Sequence, residues 1–228
     1  MEEMEKKGAR SMKVCVVGAN GQIGKQVVEL LKNSGEHTPL AMVRKQEQVA
    51  YFENLGVETV VASIAESVGS IAEAIAGCDA IVFTAGSGGH TGPDQTLLID
   101  LDGAVKTIEA AEQTGVKRFV MVSALGANDR ERWNEAIRPY YVAKHYADRI
   151  LEQSDLIYTI VRPGGLLNDE GTGMVAIGDR LTRQTIPRAD VAKVIVSALT
   201  EEATYYQSFD LVSGEIPIGN ALKNVKSE

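Results

Sequence analysis

Two constellations in the sequence combine residue types and spacings that could do chemistry. The first is Gly18-Ala19-Asn20-Gly21-Gln22-Ile23-Gly24, between a run of apolar residues and a stretch of helical period. Gly18 permits a tight turn, Gly21 lets the backbone approach an anion closely, and Gly24 allows the following helix to pack on the preceding strand; Asn20, Gln22 and Ile23 share the turn. The helix would point free N–H groups and the positive end of its dipole at the site, which suits a dinucleotide's pyrophosphate. The spacing G-x-x-G-x-x-G departs from the G-x-G-x-x-G fingerprint. The second constellation is Ser123, at the end of a later apolar run, with Tyr140 and Lys144 four apart and so on one helical face. A phenol there could give a proton to a carbonyl as hydride arrives, and a neighbouring ammonium would lower its pKa from about 10. Ser123 would polarise or orient the same oxygen. Tyr141, three residues from Lys144, competes with Tyr140, which the spacing prefers.

The end of the second apolar run bears on the nucleotide. An NAD site wants Asp or Glu about 20 residues beyond the glycines to hold the ribose 2′-OH, whereas a 2′-phosphate wants Arg. The sequence offers Met42, Val43, Arg44 and Lys45, with no competing carboxylate. Arg44 can fork onto a phosphate, so NADP(H) is expected ahead of NAD(H).

These residues need elements to position them, and the hydropathy pattern alternates short apolar runs with longer segments of helical period. Strands are predicted at 14–17, 40–43, 57–62, 80–83, 119–122, 157–161 and 209–212. Helices are predicted at 21–33, 46–54, 67–76, 94–114, 140–153, 189–199 and 219–223, with Gly115 as a left-handed C-cap. Continuous apolar strands covered by helices indicate an α/β fold, a doubly wound parallel sheet in three layers. One Rossmann domain is expected over residues 12–228, with small substrate-side elements near its C-terminus, after a flexible leader at 1–11.

Composition narrows the partners. The chain has 228 residues, 44% hydrophobic and 24% charged, as expected of a soluble globular domain. A formal net charge of -8 argues against nucleic acid or an anionic membrane as the main partner. No apolar run reaches the roughly 18 residues of a membrane span, and the charged start lacks a signal-peptide core, so a cytoplasmic protein is expected. Cys15 and Cys78 are predicted to be buried thiols. His37, His90 and His145 show no metal-ligand spacing, and no metal is predicted.

Together Gly18 to Gly24, Thr84-Ala85-Gly86, Ser123 with Tyr140 and Lys144, and Arg162-Pro163-Gly164 resemble the short-chain dehydrogenase/reductase superfamily. The match is to its atypical, compact NAD(P)-binding branch, which includes small flavin or biliverdin reductase-like proteins and NmrA-like cofactor sensors. The resemblance runs from Met12 to the C-terminus. It implies that Thr84, Ala85 and Gly86 wall the adenine ribose, that Pro163, Gly164, Gly165 and Leu166 lie on the nicotinamide side, and that Lys144 also hydrogen-bonds the nicotinamide ribose. Two positions depart from the pattern. Ser63 stands where many relatives carry an Asp that meets the adenine amino group, which weakens that contact. Asp100 stands near the place of a helix Asn that completes a proton relay in other members, and no such relay is inferred.

The expected activity is NADP(H)-dependent reduction of a small carbonyl, quinone or flavin-like substrate, with Tyr140 as proton donor. Two other readings stay open: an NADP(H) redox sensor acting through a protein partner, which needs only the glycine loop and Arg44, and a small epimerase or dehydratase, for which the chain after Pro163 leaves little room. Arg130, Arg132, Trp133 and Arg138 either line a pocket for an acidic or aromatic substrate or belong to a solvated loop. His90 could approach substrate, and Asp190 should cap or anchor the last long helix. Beyond a small-molecule substrate no partner is required, and a homodimer is left open.

Overall fold

The computed structural model describes residues 11–89 and 91–225. The expected leader therefore lies, except for Ser11, outside the described residues, as does His90.

The apolar run after Met12 forms β1 (Lys13–Val17), whose side chains alternate between two cores. Val14 and Val16 join a cluster with Val27, Leu31, Val194 and Ile195, while Cys15 and Val17 join one with Ile71, Ile108 and Leu151. A strand with apolar residues on both faces must be covered on both, and parallel neighbours complete it. These are β2 (Thr38–Val43), with Met42 opposite Val17, and β4 (Ala80–Phe83), with Phe83 opposite the same residue. Outside β2 lies β3 (Glu58–Val61); beyond β4 come β5 (Arg118–Val122), β6 (Ile157–Pro163) and, after a gap in chain order, β10 (Gln207–Ser213), all parallel. The order β3-β2-β1-β4-β5-β6 reverses between β1 and β4, and ligands of open α/β sheets bind in the crevice above such a switch point.

Helices cover both faces. They are α1 (Gln22–Ser34), α2 (Val49–Asn54), α3 (Val68–Ile75), a single turn α4 (Pro93–Gln95), α5 (Gly103–Thr114), α6 (Arg138–Glu152), α7 (Arg188–Ala198) and α8 (Ile218–Lys223). Gly115 ends α5 with φ 76°, as expected of a left-handed cap. The doubly wound α/β reading holds, with three differences. The predicted helix over 94–114 is interrupted by a π-helical stretch, Thr96–Asp102. Over so few residues, spacing of apolar positions does not distinguish the two helical forms. The sheet also continues past β10 with β8 (Met174–Gly178) and β11 (Ile216–Pro217), which pair antiparallel and make nine strands in all. A separate parallel pair, β7 (Gly165–Leu167) with β9 (Thr185–Pro187), follows β6. These four strands are short and half exposed, too brief for alternation to register. Cys15 and Cys78 are free and buried, as predicted. No helix among the described residues is long and apolar enough to cross a membrane.

Candidate active site

The glycine turn between β1 and α1 is built on contacts that leave no room for side chains. Gly18 has φ +83°, and a Cβ there would lie 2.7 Å from the Ala85 backbone nitrogen. A Cβ at Gly24 would lie 2.3 Å from Gly18 O, so α1 sits directly on the turn. Gly21, extended at φ -70°, is the N-cap, and no side chain caps the helix. Asn20 and Gln22 are exposed while Ile23 is buried against the core. The first-turn amides of α1 thus face the switch point with no side-chain acceptor, which is the cradle a pyrophosphate needs. These residues fit a dinucleotide. Beside them a cleft of about 500 Å³ opens between the N-termini of α1 and α7, lined by Gln22, Lys25, Leu167, Asn168 and Arg188 among others.

The remaining nucleotide-side candidates fall along the same sheet edge. Arg44 follows β2 and is exposed; its backbone N–H donates to Gln48 Oε1, and its guanidinium makes no ion pair among the described residues. Ser63 Oγ accepts the Ala65 N–H at 3.2 Å, so this side chain shapes its own turn. Thr84 Oγ1 donates to Val17 O at 3.0 Å and to Gly18 O at 3.3 Å, tying the β4 end to the glycine turn, with Ala85 and Gly86 following. Pro163 is buried at the end of β6 and Leu166 is half-buried in β7. Gly164 has a structural reason to be glycine. A Cβ on Gly164 would lie 2.1 Å from Gln184 O, and Gly165 N–H donates to that same carbonyl.

Opposite this strip stand Tyr140 and Lys144, one turn apart at the start of α6, where Pro139 fits the first turn. Lys144 is 4% exposed. Its Nζ lies 3.3 Å from Asp100 Oδ1, donates to Val122 O at 3.4 Å and stands 5.7 Å from the centre of the Tyr140 ring. Burial pulls the Lys144 pKa down, but Tyr140, Asp100 and Asp148 outweigh it and leave the ammonium above the ordinary lysine value. For Tyr140, burial pushes the phenol up and Lys144 pulls it down; Asp100, Tyr141 and Asp148 add to the upward push, and the net shift is upward. The expected net lowering by Lys144 is therefore corrected. The phenol is held protonated, the form a proton donor needs. Tyr141 is buried, stacked on Trp133 at 6.1 Å, and its hydroxyl accepts from Arg183 Nη1 at 2.8 Å. This removes it as a competitor to Tyr140.

Ser123 is buried just past the end of β5, next to Val122. Its hydroxyl lies against Asp148, whose pKa it helps pull down, and makes no hydrogen bond of ordinary geometry among the described residues. Asp148 Oδ2 accepts from Arg162 Nε at 2.8 Å, and Arg162 Nη2 reaches Glu152 Oε1 at 3.4 Å. Burial pushes the Asp148 carboxyl up, opposed by Arg162, Ser123 and Lys144. Ser123 thus belongs to a buried ionic cluster behind Lys144. Sequence reasoning missed Asp148, although it lies one helical turn beyond Lys144 on the same face.

The arginines between Ser123 and Tyr140 serve the protein itself. Arg132 pairs with the fully buried Asp210 at 3.1 Å and donates to Leu181 O, Arg138 pairs with Glu135, and Arg130 lies over the Trp133 ring. Trp133 Nε1 donates to Ala127 O at 3.1 Å. From the segment between β8 and β9, Arg180 pairs with Asp129 and Arg183 donates to Arg132 O. The loop is clamped at Arg132 and Trp133, while Arg130 and residues 134–139 stay exposed to solvent. Asp190, in the first turn of α7, accepts the Thr172 and Gly173 N–H groups at 2.8 Å and anchors that turn. No group of three or more His, Cys, Asp or Glu among the described residues could hold a metal.

The family model described as NAD(P)H-binding matches residues 18–202. A Bacillus subtilis (strain 168) protein named uncharacterized sugar epimerase YhfK is 57% identical over 94% of this chain and 100% of its own length. Among solved structures, a Bacillus halodurans protein with the provisional name of NAD-dependent epimerase/dehydratase is 44% identical with a TM-score of 0.88, covering 94% of this chain and 100% of that one. The oxidoreductase ylbE from Lactococcus lactis is 32% identical with a TM-score of 0.87, covering 95% and 98%.

Proposed function

The chain belongs to the NAD(P)H-binding family and is an NAD(P)-dependent oxidoreductase; from that premise we propose that it reduces a small carbonyl, quinone or flavin-like acceptor with NADPH, using Tyr140 as the proton donor. The observation that carries this reading is the buried Lys144–Asp100 ion pair, with the Lys144 ammonium 5.7 Å from the centre of the Tyr140 ring, at the sheet edge that also holds the glycine cradle. When bound, NADPH supplies the hydride. The chain's residues do the rest. Amides of the α1 first turn hold the pyrophosphate, Arg44 takes the 2′-phosphate, and Thr84, Ala85 and Gly86 border the adenine ribose. Tyr140 gives its Oη proton to the acceptor oxygen as that oxygen gains charge, and the Lys144 ammonium, 5.7 Å from the ring centre, steadies the phenolate left behind. Asp100 keeps that ammonium in place.

Replacing Tyr140 by Phe tests the assignment. Turnover on a panel of carbonyl, quinone and flavin acceptors, followed by loss of NADPH absorbance, should fall about 10²–10⁴-fold while NADPH affinity is unchanged. Full activity in Tyr140→Phe removes the assigned donor. The epimerase names of two relatives favour a second reading, in which a sugar nucleotide is interconverted with no net loss of NADPH. Against it, the described chain after Pro163 builds, besides the sheet strand β10, only short strands, α7 and α8. Binding that separates NADPH from NADP, with no turnover of either substrate class, would favour a redox sensor.

A further inference from the structure

Asp100 is buried in the π-helical stretch, between the loop that follows β4 and the helix that carries Tyr140 and Lys144. Its two oxygens take different partners. Oδ1 stands 3.3 Å from Lys144 Nζ, and Oδ2 accepts the Ser87 backbone N–H at 3.0 Å. A Cβ on Gly86 would come within 3.1 Å of Oδ1, so the loop backbone lies against the carboxylate. Turns of π-helix are rare and concentrate at functional places. A buried carboxylate persists where its charge and both oxygens find partners, as they do here.

We propose that Asp100 is the positioning residue of this site, a bridge that fixes the Lys144 ammonium to the backbone of the Gly86–Gly89 loop, so that one carboxylate sets the proton-donor wall and the nucleotide wall together. The proposal rests on the reductase reading only where turnover is measured. The ionisable groups facing Lys144 are Tyr140 and Asp148 on its own helix and Asp100 from the π-helical stretch; Tyr141 adds to the groups around Tyr140, and Arg162 of β6 stands behind Asp148. Asp100 pushes the pKa of both Lys144 and Tyr140 upward. Without its charge both acids give up their protons at lower pH.

Asp100→Asn keeps an acceptor for Ser87 and removes the charge. In this variant the alkaline limb of the pH–turnover profile should move down by about 1–3 pH units. The ¹³C NMR titration of Lys144 Cε in nucleotide-free protein should move the same way, with NADPH affinity kept. Asp100→Ala also releases Ser87 and should weaken NADPH binding roughly tenfold or more. A limb and a Lys144 titration that both stay in place in Asp100→Asn overturn the proposal. If the wild-type chain reduces no acceptor, the reductase reading falls, and the Lys144 titration alone decides the role of Asp100. Should Asp100→Asn fail to fold, Lys144→Gln reads the bridge from its other end. The Ser87 amide should then exchange faster with deuterium, and unchanged exchange overturns the bridge.

Discussion

Along β1 to β3 the buried positions, His37 apart, are apolar side chains and glycine, whereas every buried Asp, Lys and Arg among the described residues lies at Asp100 or beyond. The first region makes its site from backbone: a turn packed until no Cβ fits, with a helix end left uncapped. The second makes its site from charge. Lys144 with Asp100, Arg162 with Asp148 and Arg132 with Asp210 are ion pairs in which at least one partner is fully or nearly fully buried. Arg118 has carbonyl oxygens of Ala198, Leu199 and Ile157 for partners, and burial pulls its pKa down to about 10. Buried ion pairs are weak evidence for stability, since apolar residues of similar volume often do as well. Groups of two of these pairs, Lys144, Asp100 and Asp148, act on Tyr140, which points to electrostatics. A pyrophosphate has a fixed shape that backbone amides can meet, while moving a proton requires fields that only placed charges provide.

Gly24→Val puts the backbone half of this contrast to its hardest test. The added Cβ meets Gly18 O at 2.3 Å and Ala19 O at 2.8 Å, so either the turn or the helix must shift. Calorimetry should find no binding of NADPH or NADH at millimolar concentration, together with a stability loss of about 1–3 kcal/mol or more. Retained binding would mean that the cradle does not depend on this packing. Asp148→Ala tests the charged half. It leaves the Arg162 guanidinium buried without its shortest ion pair, with Glu152 at 3.4 Å and the neighbouring Asp210 as the remaining counter-charges, and chemical denaturation should show a loss of about 3 kcal/mol. Replacing both partners, Asp148→Leu with Arg162→Met, should recover most of that loss while activity stays low. Recovery of full activity in the double variant would mean the cluster contributes nothing to the field at Tyr140.

The same division decides what could be read from the chain. The glycine turn was legible because steric demands act between residues close in sequence: Gly18, Gly21 and Gly24 carry their reason in their spacing. Strands β1, β2, β4, β5 and β6 were legible because continuous apolar runs survive burial on both faces. The Tyr140 and Lys144 pair was legible as a helical face. The partners that tune it were not, since Asp100 reaches Lys144 from a different element and local pattern carries no record of that meeting. Ser123 shows the same limit: its position at a strand end was right, but which way its hydroxyl turns depends on Asp148 and Arg162. The π-helical stretch and the strands β8 and β11 at the end of the sheet escaped because a few half-exposed residues give no period to read.

Arg44 gives the smallest expected effect and the sharpest view of the contrast, because it is the one charge proposed for the backbone-built half. It is exposed at the end of β2, where a 2′-phosphate would distinguish NADPH from NADH. A charge-assisted hydrogen bond to phosphate contributes about 1.5–3 kcal/mol, and exposure to solvent favours the lower end. Arg44→Ala should thus raise the Kd for NADPH about tenfold and leave the Kd for NADH unchanged, as read by nucleotide fluorescence titration. Since screening acts on exposed charges, the gap between wild type and variant should narrow as salt rises from about 0.01 M to 1 M. Equal weakening for both nucleotides would place Arg44 on the shared part of the dinucleotide and withdraw the preference for NADP(H). A loss confined to NADPH but insensitive to salt would mean that the bound phosphate and Arg44 are shielded from water together, which would move Arg44 from the backbone-built half of the contrast to the charge-built one.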